Sequence, residues 1–122
     1  MKNSFATLII LSLSLCLQAS TSAQTLLEEK CSSCHMLNSS TKIKQAKISA
    51  PPMWGIMRKV SDKFQTKEEG ISFIIDYVNN PSEEKMLFPK ATKEHFGLMP
   101  SMKDDLSQKE LKDIAEFLYK DI

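Results

Sequence analysis

Two cysteines and a histidine lie within residues 31–35, in the order Cys-Ser-Ser-Cys-His. On a helical turn, residues i and i+3 lie on one face, so Cys31 and Cys34 would present both sulfur atoms on the same side. Such a pair can form a disulfide, bind a metal ion or anchor a cofactor. The adjacent His35 adds an imidazole, which is a common metal ligand.

The rest of the sequence separates these alternatives. Beyond the first 23 residues, the chain holds no further cysteine and one further histidine, His95, so a four-ligand zinc site lacks ligands. A thioredoxin-like pair would need a strand-to-helix setting, and a plain disulfide would leave His35 without a role. Cys-x-x-Cys-His is typical of covalent c-type haem attachment. We therefore predict thioether bonds from Cys31 and Cys34, with His35 as an axial ligand of the iron.

The first 23 residues have the order of a secretory signal peptide. Lys2 is the only charged residue before Glu28, a largely apolar run occupies 5–17, and small polar residues occupy 19–23. The run is shorter than the roughly 20 apolar residues that span a bilayer. We expect cleavage after Ala23, a periplasmic location and no stable membrane insertion.

The predicted mature region, 24–122, has the size of one small domain. Cys16 lies inside the signal and is not expected to be a lipid anchor, because Leu15 stands where an acylation site has a small residue. The whole chain has 16 Lys and Arg against 15 Asp and Glu, so losing Lys2 leaves a neutral balance. A neutral balance predicts no nucleic-acid partner, and we expect a monomer.

Three amphipathic helices are predicted, and no segment alternates with the period of a strand, so the fold class is all-α. Each helix begins at a capping box. The boxes pair Thr25 with Glu28, Thr66 with Glu69, and Ser107 with Glu110. The first helix is predicted to end near Cys34 and the second at Asn-Asn-Pro, 79–81. The stretches between helices, 36–65 and 80–106, are too long to be simple loops in so small a domain, and the apolar core is small, so a bound group is expected to fill the middle.

This order of features resembles that of class I monohaem cytochromes c over essentially all of residues 24–122. The family has a helix that ends in the haem motif, a Pro-containing loop, a middle helix, a Met-bearing loop and a C-terminal helix. The resemblance implies three main helices plus short helical turns, wrapped around one covalently bound haem c and its iron. It also implies that the first and last helices cross, with Leu27, Ile114 and Phe117 at the contact.

Residues 50–55, Ala-Pro-Pro-Met-Trp-Gly, resemble the family's Gly-Pro-x-Leu segment, with alanine in place of the glycine. In the family, the carbonyl of the first proline accepts a hydrogen bond from the axial histidine. That role falls on Pro51 and would fix the ring orientation of His35. Trp54 and Arg58 are candidates for contacts with a haem propionate. Core packing is the alternative for Trp54, and a solvated charge is the alternative for Arg58.

Residues 96–102, Phe-Gly-Leu-Met-Pro-Ser-Met, resemble the distal segment, in which a methionine followed by proline binds iron. The resemblance makes Met99 the predicted second axial ligand, with Met102 and then His95 as alternatives. A thioether favours reduced iron, so His/Met ligation raises the potential above that of two imidazoles. The remaining methionines of the mature region are interpreted as core fillers. They are Met36, Met53, Met57 and Met86.

The resemblance implies a periplasmic electron-transfer protein that passes single electrons between a donor and an acceptor, without substrate chemistry of its own. The alternatives are a ligand-binding or peroxidase-like haem module with an open sixth site, and the haem subunit of a larger oxidoreductase complex. Seven basic residues lie within 42–67 against one acid, whereas acids outnumber bases from Asp104 onward. This dipolar pattern favours transient docking to an acidic redox partner, the alternative being a solvated lysine-rich loop.

Overall fold

The computed structural model describes residues 21–37 and 49–121. The α-helices are α1 (Ala23–Cys31), α2 (Met53–Lys63), α3 (Lys67–Asn79), α4 (Lys90–Phe96) and α5 (Gln108–Asp121), with a short 3-10 helix at Glu83–Lys85. No strand occurs in these two ranges, and the all-α class is confirmed. None of the helices found there has the length and apolar character needed to cross a membrane. Most of the predicted signal peptide, and the basic residues Lys42, Lys44 and Lys47, lie outside the described residues.

Two of the three predicted capping boxes are present. The hydroxyl of Thr66 accepts from the N–H of Glu69, and the Glu69 carboxylate accepts from the N–H of Thr66, both at 3.2 Å. Ser107 and Glu110 form the same reciprocal pair ahead of α5, at 2.8 and 3.2 Å. Each box satisfies two backbone donors at a helix start, so the starts of α3 and α5 are encoded locally.

The predicted bounds of the first helix are wrong. Its N-cap is Ser22 rather than Thr25, and the Ser22 hydroxyl accepts from the N–H of Thr25 at 3.2 Å. The helix ends at Cys31, not near Cys34. The N–H groups of Cys34 and His35 nevertheless bind the Cys31 carbonyl, at 3.2 and 2.9 Å. The chain therefore makes one further turn through the haem motif.

Two further helices, α2 and α4, occupy stretches that the sequence analysis leaves between helices. α2 buries Met53, Met57 and Val60, whose spacing of four and three residues forms one helical face. Both helices begin after a proline, Pro52 or Pro89, and neither has a side-chain cap. The fixed φ of proline suits a helix start, so these helices lack the serine or threonine signal that marks α3 and α5.

The hydrophobic core lies where α5 packs against both α1 and α3, and α2 packs on α3. The predicted contact between the first and last helices is confirmed, since Leu27 and Ile114 are each 2% exposed within one core and Phe117 packs against it. Met53 and Met57 are core residues as predicted. Two other predicted core fillers are only half-buried. They are Met36 and Met86.

α3 and α5 approach each other closely at Gly70. A Cβ at this position would overlap the phenolic oxygen of Tyr119 and lie 3.0 Å from Cγ1 of Val60. The Tyr119 hydroxyl is buried and finds no hydrogen-bond partner among the described residues. Only glycine leaves room for this ring against α3.

Candidate functional site

His35 lies buried in the turn that follows α1. It is 9% exposed and is the only polar or charged residue classed as buried in the described ranges. Its Nδ1 lies 2.7 Å from the carbonyl oxygen of Pro51, and because a carbonyl only accepts, Nδ1 carries the proton and donates. In the neutral ring, Nε2 then keeps the lone pair that a metal binds. Burial lowers the pKa of His35 more than the Pro51 hydrogen bond raises it, which favours this neutral ring.

Cys31 and Cys34 are both free thiols in the structure. Cys31 is half-buried at the end of α1, and Cys34 is exposed. Burial, with a smaller contribution from Cys34, raises the pKa of Cys31 to about 11. With no metal bound, Cys31 is therefore a neutral thiol at neutral pH. Among residues 21–37 and 49–121, no three His, Cys, Asp or Glu side chains are grouped to hold a metal ion.

Two hydrogen bonds, one from a backbone N–H and one from a side chain, join the haem motif to the start of α2. The N–H of Met53 donates to the carbonyl of Met36 at 2.8 Å, and the carbonyl of Pro51 accepts from His35 at 2.7 Å. His35 and Met36 are adjacent, and their partners Pro51 and Met53 are two residues apart. The residues at the start of α2 are therefore attached to the motif at two points. This attachment positions both the imidazole and the first residue of α2.

Trp54 and Arg58 lie one turn apart near the start of α2. Trp54 is 52% exposed, so its interpretation as a core residue is wrong. Arg58 is exposed as well. Both donor groups thus lie at the surface, in the helix whose first residue is attached to the haem motif.

The two methionines of the distal segment have different environments. Met102 packs against the hydrophobic core, and its N–H donates to the carbonyl of Val78 at 3.0 Å. Met99 is half-buried and lines an open depression of about 790 Å³ between its own segment and the end of α3. Gly97, with a φ of 74°, ends α4 and turns the chain into this segment. Met102 therefore contributes to the core, and Met99 lies away from it.

His95 lies on α4 rather than in a loop. Its side chain is exposed, and its ring meets that of Phe96 edge-on, with 4.5 Å between the ring centroids. This environment is that of a solvated surface side chain.

A family model described as cytochrome c matches residues 20–120. The chain belongs to the cytochrome c family. Members bind haem c covalently with its iron, are generally electron carriers, and are typically exported. The cytochrome is also 34% identical, over 104 residues, to an uncharacterized protein of Aquifex aeolicus (strain VF5), and that match covers 75% of this chain and 68% of the relative. No solved structure gives a significant match.

The residues of this cytochrome fit a covalently attached haem. The donor set combines two free thiols that form no disulfide with one buried imidazole, whose Nδ1 proton is already bound. Each thioether forms by addition of one of these free thiols to a vinyl group, and no disulfide has to be broken first. The side chains that would hold the group are Cys31, Cys34 and His35.

Met36, predicted only as a core filler, and Ser101, which no sequence pattern marked, both position parts of this site. Met36 acts through its backbone carbonyl, which any residue has. Ser101 donates from its hydroxyl to the carbonyl of Asn79, at 2.5 Å. Backbone acceptors leave no pattern in a sequence, so only the fold reveals these contacts.

Proposed function

We propose that this cytochrome is a class I monohaem protein that carries single electrons between redox partners in the periplasm. When bound, the haem supplies the one-electron Fe(III)/Fe(II) couple. Cys31 and Cys34 hold the group through thioether bonds, which prevents its loss outside the cytoplasm. His35 and Met99 fill both axial positions, so no position is left for a substrate and the protein has no substrate chemistry of its own. It works as a monomer that docks transiently.

The observation that carries the proposal is the 2.7 Å hydrogen bond between Nδ1 of His35 and the carbonyl of Pro51. It selects the tautomer whose Nε2 binds iron, restricts rotation of the ring and raises its basicity as a ligand. A buried histidine one residue beyond Cys34, with this bond formed, is what an axial ligand requires. Residues 1–23 are proposed to be the signal peptide, and 24–122 the haem domain, so the Ser22 cap of α1 belongs to the uncleaved chain.

Met99 is proposed as the second axial ligand because the alternatives have other environments. Met102 packs against the core, and its backbone N–H is bound to Val78. His95 is exposed on α4. Met99 is therefore the distal side chain that remains available, and Pro100 behind it stiffens the backbone that presents its sulfur.

Trp54 and Arg58 are proposed to hold the haem propionates. The indole N–H and the guanidinium donate hydrogen bonds and do not accept them, and hydrogen bonds from a guanidinium to a carboxylate are charge-assisted. Both side chains are exposed on the helix that begins next to Pro51. They would orient the group from its carboxylate side while the thioethers hold its vinyl side.

The redox partner is proposed to present an acidic surface. Lys59 and Lys63 are exposed on α2, and neither forms an ion pair with a described residue. A basic face on the helix that begins next to the haem motif would steer an acidic surface toward the cofactor and speed encounter. Docking for electron transfer is expected to be weak and small in area.

The absorption spectrum of the oxidised holoprotein tests the axial ligands. Met99→Ala should abolish the weak far-red sulfur-to-iron band and lower the reduction potential, because a neutral thioether favours Fe(II). Met102→Ala is the matched control and should keep the band while losing stability, since it removes packing against the core. A band lost in Met102→Ala and retained in Met99→Ala would reverse the assignment. A high-spin wild-type spectrum that shifts with cyanide would instead indicate an open sixth site.

A further inference from the structure

The last carbonyl groups of α3 accept hydrogen bonds from the methionine segment. The carbonyl of Val78 accepts from the N–H of Met102 at 3.0 Å, and that of Asn79 accepts from the hydroxyl of Ser101 at 2.5 Å. Carbonyls at the end of a helix have no partner within the helix. These two bonds therefore satisfy the end of α3 and attach residues 101–102 to it.

The hydroxyl of Ser101 is held on both sides. It donates to the carbonyl of Asn79, and it also accepts from the N–H of Lys103 at 3.4 Å. The donor and an acceptor site of one hydroxyl are thus both used. An exposed serine with such contacts fixes backbone rather than filling space.

Met99 is separated from this attachment by a single residue, Pro100. Proline fixes its own φ and restricts the residue before it to extended backbone. At the other end of the segment, Gly97 ends α4 with a φ of 74°. The backbone of Met99 therefore runs between a fixed turn and a fixed serine, with little freedom in between.

We propose that Ser101 is a positioning residue that holds the Met99 sulfur at the iron. The proposal rests on the ligation by Met99 proposed above. A thioether is a soft ligand and binds ferric iron weakly, so its occupancy in the oxidised protein depends on how well the segment is held. Loss of the Ser101 hydroxyl leaves the Met102 bond in place but frees the residue next to Pro100.

Titration of the oxidised holoprotein with imidazole tests this role, because imidazole must displace the thioether and so removes the far-red band. Ser101→Ala should keep the band in the absence of imidazole but bind imidazole about threefold to tenfold more tightly, as expected for one lost hydrogen bond. Ser101→Thr keeps the hydroxyl and should bind imidazole as the wild type does.

Thr66→Ala is the control for general loss of stability, since it removes a capping bond from the opposite end of the same helix. Its affinity for imidazole should match that of the wild type. The inference is overturned if Ser101→Ala is unchanged, if Ser101→Thr behaves like Ser101→Ala, or if Thr66→Ala tightens imidazole binding equally. If Met99→Ala retains the far-red band, the ligation proposal fails as well, which distinguishes the two failures.

Discussion

The helix interface and the haem side of this cytochrome are held together by different interactions. Where α1, α2, α3 and α5 meet, Leu27, Val60 and Leu111 are almost completely buried. On the haem side, the segments around His35 and Met99 are each joined to a neighbouring segment by two hydrogen bonds, one of them from a side chain, and large apolar side chains such as Trp54 remain exposed. Apolar burial supplies most folding free energy, whereas a hydrogen bond supplies direction and about 1 kcal/mol. The interface is therefore expected to supply most of the stability, and the haem side to orient the proposed ligands and to depend on its cofactor.

Preventing haem attachment should cause the largest loss of stability. In a chain carrying both Cys31→Ala and Cys34→Ala, the haem side loses its central contact, and a core this small supplies no more than about 3–5 kcal/mol alone. Denaturant unfolding, monitored by the helical circular dichroism signal, should show a much lower midpoint and a smaller m-value.

The matched control for haem attachment replaces the two residues between the cysteines. Ser32→Ala with Ser33→Ala keeps both thiols and should attach haem and unfold like the wild type. If the double cysteine variant has the same free energy of unfolding as the holoprotein, the haem side does not depend on its cofactor for stability.

Crowding the helix interface should have the next largest effect. Gly70→Ala would normally favour a helix, but its Cβ would overlap the Tyr119 oxygen and lie 2.7 Å from Cζ of that ring. We expect a loss of about 1–3 kcal/mol in the free energy of unfolding, with part of it recovered when Tyr119→Phe is added. At Gly55, a Cβ would meet only Pro52 Cγ and Cδ, the nearer at 3.6 Å, so Gly55→Ala should gain up to about 1 kcal/mol. Equal effects at the two glycines would contradict the close approach of α3 and α5.

Reversing two charges on α2 tests whether this helix forms the docking surface for an acidic redox partner. Lys59→Glu with Lys63→Glu should slow electron exchange with an acidic redox partner by about tenfold at low ionic strength, and the difference should fade with added salt. Stopped-flow kinetics would measure both effects. Lys109→Glu with Lys112→Glu makes the same charge change on α5, where both lysines form ion pairs. If the two variants slow exchange equally, net charge rather than docking at α2 sets the rate.

The smallest expected effect concerns acid stability at the start of α5. Hydrogen bonds from the backbone N–H and the hydroxyl of Ser107 lower the pKa of Glu110. A carboxylate with a lower pKa in the folded state adds stability above the ordinary pKa of about 4.3, and that stability is lost as the pH falls through the folded-state value. The advantage of the wild type over Glu110→Gln should therefore shrink between about pH 5 and pH 3. Denaturant unfolding of both proteins at each pH measures this difference, and an advantage that stays constant down to about pH 3 would contradict it.

Local signals in the sequence predicted part of the fold correctly. Thr66 and Ser107 mark the starts of α3 and α5 because a capping box is formed by residues three apart. The same signal failed at Thr25, because Ser22 stands one turn earlier and caps the helix instead. α2 was missed since it begins after Pro52 with no capping side chain, although its buried positions have helical spacing.

Some residues of the candidate site can be predicted from the local sequence, whereas the choice of others depends on contacts between distant parts of the chain. The haem motif is contiguous, so its residues could be predicted from spacing alone. The choice between Met99 and Met102 depends on which one the core takes up, and that follows from the attachment of Met102 to Val78, 24 residues away in the chain. The sequence does not show which backbone carbonyl a loop will bind, so the preference for Met99 over Met102 came from the family resemblance.

The pair of bonds between the haem motif and the start of α2 has a mechanical consequence. Met53 is bound to Met36, and Pro51 is bound to the ring of His35, so a rotation of α2 is transmitted to the imidazole through rigid backbone. A protein that docks on the outer face of α2, as proposed above, would thereby act on the proposed axial ligand. Partner recognition and the strength of the proposed bond between His35 and iron would then be coupled through these two hydrogen bonds.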